Sequence, residues 1–181
     1  MRHATGHPTD RPFFSRPQSR LQAPAWQVCF TPGQDCTGLI VSEIAGAKRE
    51  ILVQAYQLTS TAILRALRDA HARRVDVEAI RDRTMARKRY GTAEYLRLAG
   101  IPVWIDSEVA IAHNKVMIID GIMVITGSFN FTKAAQDRNA ENLLVLEDPA
   151  LAAKYRANWE RRRAASARYA SVLPEGPAVQ E

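Results

Sequence analysis

The chain has 181 residues and a formal net charge of +6, a length that suits one domain with a real core. No apolar run approaches the ~20 residues of a membrane span, and the start of the chain has positive charges but no continuous apolar stretch, so no signal peptide is visible. The charge argues only weakly for a polyanionic partner: residues 1–25 hold four Arg against one Asp, the stretch from Glu160 onward holds four Arg against three Glu, and only +2 of the +6 is left for the core.

Residues 1–25 read as a disordered Pro/Arg-rich leader. "WQVCF" is the first predicted strand, and Thr31-Pro32-Gly33 a turn. Cys29 and Cys36, the only cysteines, either close a disulfide around "CFTPGQDC" or stay as two thiols; two Cys with no His nearby cannot complete a four-ligand zinc site. Thr37 is placed to cap a helix through Lys48, with Leu39, Ile40 and Ile44 inward. "EILVQAYQL" reads as a buried strand. Ser60 or Thr61 then caps a helix to about Ala72 with Ile63, Leu64 and Leu67 inward. "VDVEAI" alternates like a strand, a helix over Thr92–Ala99 ends at Gly100, and "PVWI" is a strand. After a hairpin come a short helix "FTKAAQD", a strand "ENLLVLE", and a last helix opened by Pro149 and carrying Leu151, Tyr155 and Trp159. This alternation predicts an α/β fold, a mixed, largely parallel sheet flanked by helices. One domain is expected over 26–165, with a flexible tail over 166–181. There is no internal repeat.

The hairpin carries the chemistry. Val116–Ile119 and Ile122–Ile125 are β-branched apolar runs separated by Asp120-Gly121, a strong two-residue turn signal because both turn positions need positive φ. Pairing Ile119 with Ile122 sets Lys115 opposite Thr126 and His113 opposite Ser128. Side chains alternate along a strand and directly opposed residues share a face, so His113, Lys115, Ser128 and Asn130 are expected at the open end of the hairpin. Asp120 lies at the closed end, roughly 20 Å from His113 at about 3.3 Å per residue. It is expected to be a turn residue bonded to nearby backbone.

The spacing His113-x-Lys115, four residues, Asp120, six residues, Gly127-Ser128-x-Asn130 resembles the HKD motif of the phospholipase D superfamily without a departure. The flanking "GSFNFTKAAQDRNAENLLVLED" resembles the small single-motif bacterial endonucleases of that superfamily, and the likeness covers roughly Trp26 to Trp159. Arg74 in "ARRVDV" departs from it, standing where relatives often have Gly. The basic loop "IRDRTMARKRY" is a second departure. The resemblance implies a phospholipase D/nuclease-like fold, export to the periplasm or outside, and a homodimer that juxtaposes two copies of the single motif across a two-fold axis. It also implies that Glu141 is the carboxylate that holds the imidazole tautomer.

Phosphodiester cleavage needs a nucleophile, a proton donor for the leaving oxygen and cations or donors for the phosphoryl oxygens. His113 suits a covalent phosphohistidine, and His113 of a second subunit suits the proton donor. Lys115 and Asn130 suit the nonbridging oxygens, with Ser128 fixing Asn130 or the His. No metal or cofactor is required. Asp120, Gly121 and Gly127 are structural members of the motif. Arg81, Arg83, Arg87, Lys88 and Arg89 offer a phosphate-contacting rim, against the plainer reading of a solvated loop. A lone strand His is ordinarily a packed or surface residue, but His113 keeps the company of Lys115, Ser128, Asn130 and Glu141. His71, His3 and His7 have no such company, and Tyr56, Trp104, Met117 and Met123 read as core. A metal-independent nuclease is therefore expected, with nucleic acid preferred to phospholipid. A phospholipase D acting on lipid head groups and a non-catalytic nucleic-acid-binding module are the alternatives.

Overall fold

The β-branched runs and the amphipathic helices build one eight-stranded sheet with helices on both faces. The computed structural model describes residues 26–85 and 91–172; the leader, and Arg87, Lys88 and Arg89 of the basic loop, lie outside the described residues. The strands are β1 (Trp26–Thr31), β2 (Glu50–Ala55), β3 (Asp76–Asp82), β4 (Val103–Asp106), β5 (Lys115–Ile119), β6 (Met123–Gly127), β7 (Glu141–Glu147) and β8 (Ala167–Arg168). Their order across the sheet is β1-β7-β6-β5-β2-β3-β4-β8. The helices are α1 (Cys36–Gly46), α2 (Thr61–Ala72), α3 (Thr92–Leu98), α4 (Lys133–Asp137), α5 (Pro149–Ala164) and α6 (Tyr169–Val172). None of them is long and apolar enough to cross a membrane.

The mixed α/β class is as expected, but the parallel pairs are confined to β2-β3-β4. The other neighbours are antiparallel. A tight turn joins β5 to β6 and leaves no room for a crossover helix, so that pair must run antiparallel. β1, β2, β3, β4 and β6 consequently point one way, and their carboxyl ends share an edge with the starts of β5 and β7. Ile51 and Val53 of β2 face Ile40, Ile44, Ile63 and Leu67 beneath α1 and α2. Leu52 faces the other layer with Ile80, Ile118, Val124 and Trp159 under α5. A strand covered on both faces is largely apolar, which is why Ile51, Leu52 and Val53 stand consecutively in β2.

Local chemistry corrects several expected boundaries. Asp35, not Thr37, caps α1, its carboxylate accepting from the amide of Gly38 at 2.7 Å, and the helix stops at Gly46. Arg74 sits at φ +70° after α2, a left-handed position that glycine adopts without strain. The expected flexible tail from 166 is also corrected. Ala167 and Arg168 pair with β4, and Tyr169 is buried in the core that holds Leu96 and Val103, so the fold runs to at least Val172. Cys29 and Cys36 are joined by a disulfide between β1 and α1, both residues inside the core.

The hairpin register differs by one residue from the expected one: Met117 pairs with Ile125, Ile118 with Val124 and Ile119 with Met123. The turn itself forms, with Asp120 at φ +55° and Gly121 at φ +68°. Ile122 donates to the Ile119 carbonyl, but its own carbonyl accepts from Asp148 at the end of β7, so it stays in the loop. Continued without interruption, this register would turn Ser128 away from Lys115. Gly127 ends β6 at this point. It sits at φ +148°, where an added Cβ would lie 2.3 Å from the Asn142 carbonyl oxygen. That carbonyl accepts from both Ser128 and Phe129. Two residues opposite one is a β-bulge; beyond it Phe129 lies in the same core cluster as Ile125, and Ser128 and Lys115 meet because both line the cleft at the sheet edge.

Asp120 closes the far end. Its carboxylate accepts from the amides of Lys48 at 2.9 Å, Arg49 at 2.7 Å and Glu50 at 3.1 Å. The backbone it holds is near in space and about seventy residues away in the chain: it pins the α1–β2 connection to the hairpin. Asp120→Ala should therefore lower the unfolding free energy by about 2 kcal/mol, read as a lower urea midpoint. Asp120→Asn, which suits the turn and keeps one acceptor, should lose less. Activity per folded molecule should be unchanged in both.

Candidate active site

The carboxyl-end edge of the sheet gathers the polar residues of the motif. The cleft there, of about 500 Å³, is lined by His113, Lys115, Ser128, Asn130, Glu141 and Tyr155 among others. Clefts outside the carboxyl ends of strands are where open α/β sheets hold ligands.

Lys115 begins β5, and its side chain is buried. Its ammonium lies 2.8 Å from Nδ1 of His113 and 3.2 Å from Nε2, and donates to the His113 carbonyl at 2.8 Å. Burial lowers the pKa of Lys115 from the ordinary lysine value, and the charge of Glu141 raises it in part.

Asn130 is aimed by its neighbours. Phe129 and Phe131 are fully buried on either side of it. Phe131 donates to Gln57 and accepts from Thr59 and Ser60, which locks the segment to the β2–α2 connection. The Asn130 Oδ1 is buried and has no hydrogen-bond partner among the described residues. Ser128 departs from expectation. It fixes neither Asn130 nor the histidine: its hydroxyl donates to Glu141 Oε2 at 2.6 Å and accepts from the Asn142 amide at 3.1 Å. Glu141 takes a second bond from Asn139 at 2.9 Å and none from His113. Its influence in this chain falls on Lys115.

Tyr56 is not core. It follows β2 at the cleft edge, and its ring centre lies 4.6 Å from that of His113. The Lys115 ammonium is 5.6 Å from the centre of the same ring. Tyr56 and Tyr155 both border the histidine region and were missed from sequence. For Tyr56 the readable signal was its position just past the carboxyl end of an inner strand. Trp104 is half-buried, its Nε1 donating to Glu78 and its ring facing Arg163 and Arg168. Met117 is core, and His71 is half-buried beside Gly100.

The expected basic rim is corrected at Arg81, which is 1% exposed. Its guanidinium points inward to the Thr92 hydroxyl and to main-chain carbonyls, because Arg81 falls on the helix-covered face of β3. Arg83 is exposed on the same edge as the cleft. Glu141 is the one carboxylate that lines the cleft among the described residues. No three His, Cys, Asp or Glu converge as a metal site among those residues.

A family model described as "Cardiolipin synthase, PLD-like domain" matches residues 40–163. A protein named phospholipase D from Rickettsia bellii is 45% identical over 146 residues, covering 81% of this chain and 73% of the relative. A mitochondrial cardiolipin hydrolase from Xenopus laevis is 31% identical over 122 residues, covering 67% of this chain and 58% of its own length. Among solved structures, Nuc from Salmonella typhimurium, a phospholipase D family member, is similar at 37% identity with a TM-score of 0.76, covering 80% of this chain and 97% of that one. The motif, the fold and these likenesses agree: the chain belongs to the phospholipase D superfamily.

Proposed function

We propose that the protein is a metal-independent phosphodiesterase that works through a phosphohistidine, and that nucleic acid is its preferred substrate. The observation that carries this is the convergence of His113, Lys115, Asn130 and Ser128-bound Glu141 on one cleft. The neutral imidazole attacks phosphorus, an N–P bond forms, and the bond to the leaving oxygen breaks. Lys115 and Asn130 take the charge that grows on the nonbridging oxygens. The leaving oxygen needs a proton that this chain's single motif does not supply. His113 of a second subunit supplies it, then takes a proton from water as the water attacks phosphorus and the N–P bond breaks. With one carboxylate lining the cleft, the site lacks the clustered carboxylates that two-metal nucleases use.

The dimer has a candidate surface. Trp26, Val28 and Phe30 alternate along edge strand β1 and are exposed at 54%, 41% and 53%. Leu144 and Leu146 of β7 pair with Val28 and Trp26, so all five share a face. An apolar stripe of this kind on an unpaired edge strand calls for cover, and Phe30 ends it beside Glu141 and Asn142, close to the cleft.

Nucleic acid is favoured because the sequence around the motif resembles the small bacterial endonucleases and because Arg83 joins the polar cleft edge. A second reading, a phospholipase D, is favoured by the names of the relatives and by the same stripe, if its Trp and Phe meet lipid in place of a partner. Single-stranded DNA, duplex DNA, RNA and phosphatidylcholine vesicles, compared at matched diester concentration in EDTA, separate the two. We expect DNA to be cleaved faster than phosphatidylcholine, with specific activity falling as dilution splits the dimer. Faster turnover of the vesicles would establish the lipid reading, and activity that needs added magnesium would remove the metal-independent mechanism.

Lys115 must be charged to hold the phosphoryl oxygens. Burial already lowers its pKa and Glu141 holds it partly up. Neutralising Glu141 removes the raising influence, so the pKa falls further. In Glu141→Gln the alkaline limb of kcat/KM on a small chromogenic diester should therefore move to lower pH. A limb that stays in place or moves upward would contradict the role given to Lys115.

A further inference from the structure

Arg81 is a cation inside the protein with no carboxylate paired to it among the described residues. Burial pulls its pKa down to about 10, with the nearby charge of Asp82 opposing, so it is still charged at neutral pH. A buried, unpaired guanidinium is an expensive way to fill a core. Its neighbours suggest what it does there. Nη1 donates to the Thr92 hydroxyl at 2.9 Å and to the Leu58 carbonyl at 3.4 Å, and Nη2 donates to the Tyr56 carbonyl at 3.5 Å. Arg81 therefore grips the main chain just past β2 on both sides of Gln57 and ties it to the start of α3.

The segment so gripped carries Tyr56. From the other side, the Tyr56 amide donates to the Asn114 carbonyl at 2.8 Å, which fixes it to the residue between His113 and Lys115. The ring lies against the His113 imidazole at 4.6 Å, tilted by 46°. Among the described residues no carboxylate bonds the imidazole, which meets the Lys115 ammonium and the Tyr56 ring. The ring thus supplies the surface that sets the plane of the nucleophile.

We propose that Tyr56 and Arg81 are a positioning pair: Arg81 fixes the main chain that carries Tyr56, and the Tyr56 ring fixes the plane of the His113 imidazole. This rests on His113 acting as the nucleophile. Neither residue is among those that line the cleft, so the pair is expected to act on kcat through the geometry of attack, where small displacements have large effects.

The test uses the full-length protein, bis(p-nitrophenyl) phosphate, and the variants Tyr56→Phe, Tyr56→Leu, Arg81→Met and the double variant Tyr56→Leu/Arg81→Met. Tyr56→Phe keeps the ring and should keep kcat within about twofold, while Tyr56→Leu should lose about tenfold or more in kcat with KM and melting temperature little changed. Arg81→Met replaces a buried charge by an apolar chain of similar reach, a change that folded proteins often accept, and should reproduce the kcat loss. Because the two residues act as one unit, the double variant should be no slower than the slower single variant. Full kcat in Tyr56→Leu would overturn the proposal. Full kcat in a folded Arg81→Met, or additive losses in the double variant, would remove Arg81 from it. Should Arg81→Met not fold, the Phe-against-Leu comparison still decides the part played by Tyr56. A wild-type protein inert on the small diester would overturn the phosphodiesterase reading itself, whatever the variants do.

Discussion

One carbonyl oxygen, that of Asn142, accepts from two successive amides, Ser128 and Phe129, and the site depends on that shared acceptor. The approach is close enough that only glycine fits at 127, where an added Cβ would lie 2.3 Å from the same oxygen. Beyond it Phe129 and Phe131 enter the core cluster that already holds Ile125, while Ser128 and Asn130 line the cleft. Ser128 reaches Glu141 on the neighbouring strand and donates to its carboxylate. Bulges are common next to functional sites. Gly127 is thus a geometric requirement of the motif, with no chemistry of its own.

The two ends of the hairpin divide the work. At the closed end, Asp120 spends its carboxylate on three amides of the α1–β2 connection. At the open end, Lys115 keeps a buried ammonium against His113 under the opposing influences of burial and Glu141. The motif therefore joins a structural carboxylate to a reactive pair that it never touches. Charge is handled differently again at Arg81, whose guanidinium finds carbonyls and a hydroxyl in place of a counter-ion.

Much of this was legible in the sequence because strand periodicity and turn chemistry are local. The existence of β1 to β7, the Asp120-Gly121 turn and the burial of Ile40, Ile63 and Leu67 follow from pattern alone. The grouping of His113, Lys115, Ser128 and Asn130 was also reached, but through an uninterrupted register that the chain does not keep. The slip goes with Asp148, just past β7, taking the Ile122 carbonyl, and the bulge with Asn142 on β7, both outside the two strands of the hairpin. Arg81 was misplaced for a related reason. A run of basic residues looks like a surface loop until β3 is seen to extend through Asp82 with α3 packed beside it. Tyr56 was hidden because an aromatic residue at the end of an apolar strand reads as core. β8 was hidden because two residues carry no periodicity.

In the proposed mechanism His113 itself becomes covalently bonded to phosphorus. The direct test is to quench the protein in base during turnover of a diester labelled on one side of phosphorus, and to map the label by mass spectrometry. Phosphoramidates survive alkali and are lost in acid, so the bond has a chemical signature as well as a mass. The expected result is a substrate fragment on the peptide that contains His113, released by acid and missing in His113→Asn. A protein that turns over the diester with no label on His113, or with label retained after acid treatment, would contradict it.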